Sequence, residues 1–244
     1  MWKTLGGRCI YESPNGAKVY QNLLYRWLTL GSDAIQTLIH RYRPEYSRLE
    51  YIKPLTLAVR EQPALCCLLG LGGAGVVHAL APYLDSTQIV VVENNPEVIA
   101  LAKTYFMTTQ IEPLKIVQQD AYEYIETCPT RFEHLMIDLF DAQSFPPALN
   151  NYDFFKQCQR VLSMNGILAI NLANADEHWG VFSYIYDIFE QRTLCLPVKG
   201  CSNLIVLAYN GGSNQLFLDR LISRAAIKEM YWDAKWGCIA HLKA

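Results

Sequence analysis

A glycine-rich loop, residues 70–75, is the feature that most constrains what this chain can fold into. The loop reads Gly-Leu-Gly-Gly-Ala-Gly and follows an apolar run, residues 64–69, that suits a strand buried on both faces of a parallel sheet. A helix over residues 76–80 and a second apolar strand, residues 88–93, come next. This order of strand, loop, helix and strand predicts one half of a doubly wound α/β domain.

The glycines of this loop fit the pattern G-x-G-x-x-G, and each allows a backbone conformation or a close contact that a larger residue would hinder. Gly70 allows a tight turn, Gly72 lets a ligand approach the backbone, and Gly75 lets the helix pack close to the strand. Glu93 ends the second strand, where a carboxylate can accept hydrogen bonds from both hydroxyls of a ribose. Together these residues predict a nucleoside-binding half-site in preference to a simple turn.

The charge and the composition exclude several classes of protein. The 21 basic and 23 acidic residues leave a net charge of -2, so nothing indicates a nucleic-acid backbone or an anionic membrane as a partner. Hydrophobic residues make up 51% of the 244, enough for a sizeable core, and no apolar run is long enough to span a membrane. Because the first residues also lack the apolar core of a signal peptide, we expect a soluble cytoplasmic protein.

The cysteines and histidines do not form a ligand pattern. Eight cysteines occur without any C-x-x-C spacing, and two of them, Cys66 and Cys67, lie in the predicted buried strand. Most are therefore interpreted as small buried hydrophobic residues in a reducing compartment. The five histidines are scattered along the chain, and we predict no metal site.

Residues 8–40 predict a small β-sheet of a different kind from the core. Short alternating strands flank a Ser-Pro-Asn-Gly turn, which suits a tight hairpin. Because so small a sheet cannot bury a core of its own, we expect it to pack on the larger domain or on another subunit. We place the small β-domain at residues 1–47 and the nucleoside-binding domain at residues 48–244. Trp27 and Leu30 would need a partner surface, so we also expect a homodimer.

Helices and strands then alternate along the rest of the chain. A helix over residues 48–59, kinked or delayed by Pro54, leads into the strand before the glycine loop. Beyond Glu93 the predicted strands are residues 114–119, 132–140, 167–172 and 204–209, and the predicted helices are residues 96–106, 121–127, 152–162, 179–191 and 215–230. Repeated βα units of this kind imply an α/β fold with a doubly wound, mostly parallel sheet, in which ligands bind at the carboxyl ends of the strands.

Four carboxylates fall at or just beyond the ends of predicted strands: Glu93, Asp120, Asp138 and Asp141. A single carboxylate in such a place is often only a helix cap, but four of them around one glycine loop indicate a binding site. Asp120 is suited to accept a hydrogen bond from the exocyclic amine of adenine. Asp138 and Asp141 would raise the pKa of at least one of the pair in a shared dry pocket, and such a pair suits a cationic amine substrate.

These motifs resemble those of the spermidine synthase (polyamine aminopropyltransferase) family over most of the chain, from about Tyr11 to Tyr209. That family joins a small N-terminal β-domain to a Rossmann-like fold of the S-adenosylmethionine-dependent methyltransferase type. Its pattern includes an N-terminal Gln, a Tyr entering the core, G-G-G-D-G-G, an acid ending the next strand, an Asp followed by a small residue, and D-x-x-D. The matching positions here are Gln36, Tyr51, Gly70 to Gly75, Glu93, Asp120-Ala121, and Asp138 and Asp141.

The resemblance implies an enzyme that moves the aminopropyl group of decarboxylated S-adenosylmethionine to a diamine such as putrescine, without a metal. In that reaction Asp138 would be the general base and Asp141 would help to bind the acceptor amine. Tyr51 and Gln36 would also contact the substrates. On the nucleoside side the resemblance implies that the glycine loop, Glu93 and Asp120-Ala121 hold the donor, with Glu93 at the ribose and Asp120 at the adenine.

The chain departs from the family pattern where the aminopropyl group and the diamine are expected to bind. Gly73 stands in place of the Asp of G-G-G-D-G-G, and Ile52-Lys53 follow Tyr51 in place of His or Gln and Glu. Ala142 replaces a Pro after D-x-x-D, and a late Tyr is replaced near Lys199. The nucleoside side of the site is therefore better supported than the acceptor side.

Three hypotheses for the function remain open at this point. The first is the aminopropyltransferase, favoured by Asp138 and Asp141 together with the N-terminal sheet. The second is a methyltransferase of the same fold that uses S-adenosylmethionine, favoured by the departures on the acceptor side. The third is a non-catalytic nucleoside-binding or dimerising protein, which would follow if Ile52 or Lys53 blocked the pocket. An NAD-dependent dehydrogenase fits less well, because Asp120 and the aspartate pair have no role in hydride transfer.

Overall fold

A computed structural model of the chain describes residues 4–46, 48–86, 88–139, 145–224 and 226–243. Within these residues the strands are β1 (Arg8–Glu12), β2 (Ala17–Gln21), β3 (Tyr25–Leu30), β4 (Ile35–His40), β5 (Cys66–Leu69), β6 (Ile89–Glu93), β7 (Leu114–Gln118), β8 (Phe132–Ile137), β9 (Leu162–Leu172), β10 (Thr193–Pro197), β11 (Leu204–Asn210), β12 (Ile227–Asp233) and β13 (Gly237–Leu242). The α-helices are α1 (Ile52–Leu55), α2 (Leu57–Glu61), α3 (Gly75–Leu80), α4 (Pro96–Tyr105), α5 (Ala121–Thr127), α6 (Tyr152–Arg160), α7 (His178–Ile188) and α8 (Gln215–Ser223).

The large central sheet has the strand order β12-β13-β10-β11-β9-β8-β5-β6-β7 in the described part of the chain. The five strands from β9 to β7 are parallel, β11 runs antiparallel to β9, and β10 runs antiparallel to β11. Strand β5 has β6 on one side and β8 on the other, so the order of the strands reverses at β5. In doubly wound sheets ligands bind at the carboxyl ends of the strands where this reversal occurs. The predicted doubly wound, mostly parallel sheet is confirmed.

The two faces of this sheet are buried against different helices. Successive residues of β5 alternate between two apolar clusters: Cys66 and Leu68 belong to one, and Cys67 and Leu69 to the other. Side chains of α1, α2, α3 and α8 contribute to the first cluster, and those of α5, α6 and α7 to the second. A strand buried on both faces explains why the sequence of β5 is apolar throughout rather than alternating.

The N-terminal strands β1 to β4 form a separate antiparallel sheet in sequential order. Leu28 and Ile39 of this sheet pack with Leu101 of α4 and with Phe106, which follows α4. The Tyr11 hydroxyl also donates a hydrogen bond to Glu97 Oε1 at 2.9 Å. The small sheet therefore buries its apolar residues on the rest of the same chain. The domain boundary between residues 47 and 48 stays a prediction.

Trp27 and Leu30 do not form the exposed apolar surface expected from the sequence. Trp27 is only 6% exposed, and its ring stacks on Tyr20 with ring centroids 5.5 Å apart. Leu30 is half-buried and lines a cavity at the carboxyl ends of the central strands. Neither residue therefore needs a second subunit to bury it, contrary to the expectation, while the homodimer itself stays a prediction.

The predicted final helix over residues 215–230 is wrong in its second half. Helix α8 ends at Ser223, and the antiparallel pair β12 and β13 extends the central sheet beside β10. Gly237 allows the hairpin turn, because its φ of 69° lies in the left-handed region. Strand β12 is an edge strand whose Tyr231 and Trp232 are exposed, so its conformation depends on pairing with β13, which local periodicity does not encode.

The predicted helix over residues 48–59 is replaced by the two short helices α1 and α2. Pro54 lies in the first turn of α1, where its missing N–H would have no intrahelical partner. The other predicted helices and strands recur with ends within three residues of those predicted, except that β9 begins five residues before the predicted strand. No helix among the described residues is both long and apolar enough to cross a membrane.

Candidate functional site

The carboxyl ends of β5 to β8 lie along one edge of the central sheet and border a cavity of about 440 Å³. The N-terminal sheet contributes Leu30 and Gln36 to its wall. A cavity of this volume is typical of a small-molecule site. The predicted site residues in its wall are Gln36, Gly70, Gly72, Glu93, Asp120, Ala121 and Asp138.

Gly70 brings the glycine loop directly against the chain that follows β8. Its φ of 95° lies in the left-handed region, and a Cβ at this position would be 2.3 Å from the Asp138 carbonyl oxygen. The backbone conformation and the lack of space therefore both require glycine. The glycine loop therefore lies directly against the backbone of Asp138.

Glu93 supports the glycine loop and presents its carboxylate to the cavity. Its Oε2 accepts a hydrogen bond from the Leu71 N–H at 3.0 Å, and its Oε1 accepts one from the Asn95 N–H at 2.9 Å. Each carboxylate oxygen has a second lone pair, so both can still accept from a ligand. Two neighbouring hydroxyls, as on a ribose, match this acceptor pair.

Asp120 caps helix α5 and also lines the cavity. Its Oδ1 accepts hydrogen bonds from the Tyr122 and Glu123 N–H groups at 2.8 and 3.2 Å, which caps α5. Its Oδ2 takes no part in the cap. Because Asp120 and Ala121 both line the cavity, this second oxygen is available to a donor such as the exocyclic amine of adenine.

Asp138 follows β8 and has both carboxylate oxygens held by neutral donors. The Tyr51 hydroxyl, from the turn before α1, donates to Oδ2 at 3.0 Å. The side-chain NH2 of Asn171, near the carboxyl end of β9, donates to Oδ1 at 2.9 Å. The carboxyl group is thus fixed in orientation at the cavity wall without any salt bridge among the described residues.

The surroundings of Asp138 act on its proton affinity in two directions. Burial raises the pKa of the Asp138 carboxyl above its usual value, and the hydrogen bonds from Asn171 and Tyr51 oppose that rise. Burial and the charge of Asp138 raise the pKa of the Tyr51 hydroxyl well above its usual value, so Tyr51 remains a donor at neutral pH. A carboxylate with raised proton affinity at a cavity wall is suited to accept a proton from a substrate.

A second cavity, of about 40 Å³, adjoins the first and shares Gln36, Gly72 and Asp138 with it. Tyr51 and Gly75 line this smaller cavity. The described residues therefore leave far less space beside Tyr51 than on the Glu93 side of Asp138.

Thr37 of β4 explains the glycine that departs from the family pattern at position 73. The Gly73 N–H donates to Thr37 Oγ1 at 2.9 Å. A Cβ on Gly73 would lie 2.9 Å from both Cβ and Cγ2 of Thr37, and 3.0 Å from Cε1 of Phe106. The N-terminal sheet packs so closely here that an aspartate does not fit without movement of β4. Thr37 could not be identified from sequence, because a threonine in a short strand has no distinctive pattern.

We expect Gly73→Ala to lower the free energy of unfolding by about 1–3 kcal/mol, because the new methyl group overpacks Thr37 and Phe106. The matched control is Gly180→Ala in α7, where a Cβ meets no atom within 4 Å. That control should gain up to ~1 kcal/mol from helix propensity. Urea denaturation of both variants measures the difference, and equal stability of the two would contradict the close packing at Gly73.

Of the other departures, Ile52, Lys53 and Lys199 lie away from the larger cavity, and Ala142 lies outside the described residues. Lys53 is exposed and its Nζ donates to the Lys243 carbonyl oxygen at 2.9 Å, while Lys199 lines the same outer groove as Lys53. Ile52 is buried, and its Cδ1 lies close to Gly75. Neither Ile52 nor Lys53 lines the cavity beside Asp138, so in the described part of the chain these two residues do not block the pocket as the third hypothesis requires. Asp141 lies outside the described residues, and its role stays a prediction.

Comparisons with known proteins point to one family. A family model described as the spermine/spermidine synthase domain matches residues 48–192. Among curated proteins, the chain is similar to the polyamine aminopropyltransferase of Neisseria meningitidis, with 30% identity over 205 residues that cover 82% of this chain and 78% of the relative.

Solved structures agree with this at the level of the fold. A probable spermidine synthase from Corynebacterium glutamicum has a TM-score of 0.71 and 16% identity, and the match covers 88% of this chain and 86% of that one. A spermidine synthase in complex with the transition-state analogue AdoDATO has a TM-score of 0.67 and 20% identity, covering 84% of this chain and 74% of that one. At these identities the likeness concerns the arrangement of helices and strands.

Proposed function

Because this chain belongs to the spermine/spermidine synthase family, we propose that it moves the aminopropyl group of decarboxylated S-adenosylmethionine to a small amine such as putrescine. Curated relatives from Neisseria meningitidis and Chromobacterium violaceum are named polyamine aminopropyltransferases, so the chain is a transferase. The observation that carries the proposal is the Asp138 carboxyl, held by Tyr51 and Asn171 at the wall of a nucleoside-sized cavity.

The proposed reaction is a displacement at the carbon bonded to the sulfonium sulfur of the donor. The lone pair of the acceptor nitrogen forms the new C–N bond, the C–S bond breaks with its electrons going to sulfur, and methylthioadenosine leaves. A primary ammonium has a pKa of ~10.4, so freeing its lone pair at pH 7 costs about 4–5 kcal/mol. Asp138 accepts this proton, and its raised pKa suits the task.

Three groups support a nucleoside on the other side of the cavity. Glu93 offers two carboxylate oxygens for the ribose hydroxyls, and Asp120 offers one for the adenine amine. Gly72 and Gly70 keep the backbone of the glycine loop free of side chains where the donor lies. These residues bind and orient the donor, whereas Asp138 and Tyr51 act at the reacting end.

A methyltransferase that uses S-adenosylmethionine is the second candidate, and the Gly73 and Thr37 contact favours it. An aminopropyl donor carries an ammonium group, which needs a negative partner when buried. Among the described residues that line the smaller cavity, Asp138 is the one carboxylate. S-adenosylmethionine keeps its carboxylate, which would partly neutralise the ammonium group of the same molecule. Its binding would therefore need no further acidic side chain here.

Calorimetric titration separates the two candidates. We expect decarboxylated S-adenosylmethionine to bind at least about tenfold more tightly than S-adenosylmethionine, because the extra carboxylate of the latter would face the negative charge of Asp138. Methylthioadenosine, which lacks both groups, serves as the control for the nucleoside half alone. Turnover of the decarboxylated donor with putrescine completes the test. Tighter binding of S-adenosylmethionine, with no turnover of the decarboxylated donor, would favour the methyltransferase.

A further inference from the structure

Asn203 forms the outer end of a chain of hydrogen bonds that reaches Asp138. Its side-chain NH2 donates to the Asn171 side-chain oxygen at 2.8 Å, and the Asn171 NH2 in turn donates to Asp138 Oδ1 at 2.9 Å. Asn171 is 1% exposed, whereas Asn203 is half-buried and precedes β11. The loop between β10 and β11 is closed beside it by a hydrogen bond from the Val198 N–H to the Asn203 carbonyl oxygen at 3.0 Å.

The direction of this chain follows from the carboxylate at its inner end. An ionised Asp138 can only accept hydrogen bonds, so Asn171 must turn its NH2 toward it. The Asn171 oxygen then faces Asn203, which must supply a donor. With Asn203 in place, the Asn171 side-chain oxygen and Asp138 Oδ1 each have a donor. Without it, the buried Asn171 oxygen would lack one, and an unpaired buried acceptor is unfavourable.

We propose that Asn203 is a positioning residue that fixes the amide of Asn171 with its NH2 toward Asp138, and thereby favours the ionised, proton-accepting form of that carboxyl. This inference rests on the proposed role of Asp138 as the base. If the Asn171 amide could rotate, its oxygen would face the carboxyl for part of the time. That arrangement favours a protonated Asp138, because only the acid form can donate a hydrogen bond to the amide oxygen.

In the part of the chain that the structure describes, few other titratable groups face Asp138 from the elements packed around it. Tyr51 is bonded to Oδ2 and stays protonated. Across the larger cavity lie the carboxylates of Glu93 and Asp120 and the phenol of Tyr122. The glycine loop and β4 contribute neutral groups to the smaller cavity. Within the described residues, the neutral donors Tyr51 and Asn171 therefore make the hydrogen bonds to the carboxyl.

The test compares two substitutions of Asn203 with a control in the same loop. Asn203→Leu removes the donor without adding charge, and Asn203→Asp replaces it by an acceptor that competes for the Asn171 NH2. The control is Ser202→Ala, which loses only the hydrogen bond from Ser202 Oγ to the Ala173 carbonyl oxygen. Urea denaturation first establishes that each variant is folded.

The readout is the pKa of Asp138 itself, from the carboxyl band in infrared difference spectra that is absent in Asp138→Asn. We expect Asn203→Leu to raise it by about half a unit to one unit, since one hydrogen bond is worth ~1 kcal/mol, and Asn203→Asp to raise it further. The acid limb of the pH profile of kcat/KM should shift equally, so raising the pH restores the activity of both variants. Loss of folding or of loop packing alone would not be restored in this way.

Two outcomes would overturn the positioning role of Asn203. One is an Asn203→Leu variant whose Asp138 pKa equals that of Ser202→Ala. The other is a shift in Asn203→Asp alone, which would assign the effect to the added charge. Failure of the proposed function gives a different result: the infrared shift would be present while the unmodified protein shows no turnover with any amine offered.

Discussion

Asp138→Asn is expected to lower kcat for aminopropyl transfer by about 10²–10⁴-fold and to leave the affinity for methylthioadenosine nearly unchanged. The amide has the shape of the carboxylate but cannot take the ammonium proton. Its oxygen can still accept from Asn171, and the Tyr51 hydroxyl can accept from its NH2, since a hydroxyl both donates and accepts. Initial rates with decarboxylated S-adenosylmethionine and putrescine, together with calorimetry, measure the two quantities.

Asp120→Asn is the matched control, because the same chemical change is made at the nucleoside side of the same cavity. Asparagine caps a helix as well as aspartate does, so α5 should remain intact. We expect weaker binding of methylthioadenosine and little change in kcat at saturating donor. Small and equal effects of the two substitutions on kcat would contradict the role of Asp138 as the base.

The pH dependence gives a second measure of the same role. Asp138 accepts a proton only when it is ionised, and burial raises its pKa above the usual value of an aspartate. The rate should therefore rise with pH through a midpoint above that usual value and fall away on the acid side of it. Asp138→Asn should lack this acid limb in whatever residual activity remains.

The parts of the site that the sequence could predict are those tied to the ends of parallel strands. Gly70, Glu93, Asp120 and Asp138 each lie at or just beyond the end of a strand of the parallel region, and the carboxyl ends of such strands share one edge of the sheet. Their meeting around one cavity thus follows from the pattern of strands alone. The family resemblance added roles to these residues but was not needed to bring them together.

Sequence patterns did not predict the neutral residues of the site, because the roles of these residues depend on contacts between distant segments. Thr37 is distant in sequence from the loop it covers, and Asn203 reaches Asn171 of β9 from the loop between β10 and β11. Asn171 did carry one signal, since it is a lone amide in the apolar run of β9. A buried polar side chain near the carboxyl end of a parallel strand usually has a specific partner, which here is Asp138.

The second large effect is expected for Glu93→Ala, which should weaken the binding of methylthioadenosine by about 1–3 kcal/mol, or roughly 5- to 150-fold. The substitution removes the acceptors proposed for the ribose hydroxyls. It also leaves the Leu71 and Asn95 N–H groups without their partner, so the glycine loop should become less well ordered. Calorimetry with methylthioadenosine measures the affinity, and urea denaturation measures the cost to folding.

Glu97→Gln provides the control for lost negative charge near the same site. Glu97 lies in the first turn of α4 and bonds to Tyr11 of the N-terminal sheet, and it is not part of the cavity wall. Its substitution should leave the affinity for methylthioadenosine unchanged. Glu93→Gln separates charge from shape, since it keeps one acceptor oxygen and should bind with an intermediate affinity. If Glu93→Ala bound the nucleoside as tightly as Glu97→Gln does, then Glu93 would serve the loop alone and the ribose would lie elsewhere.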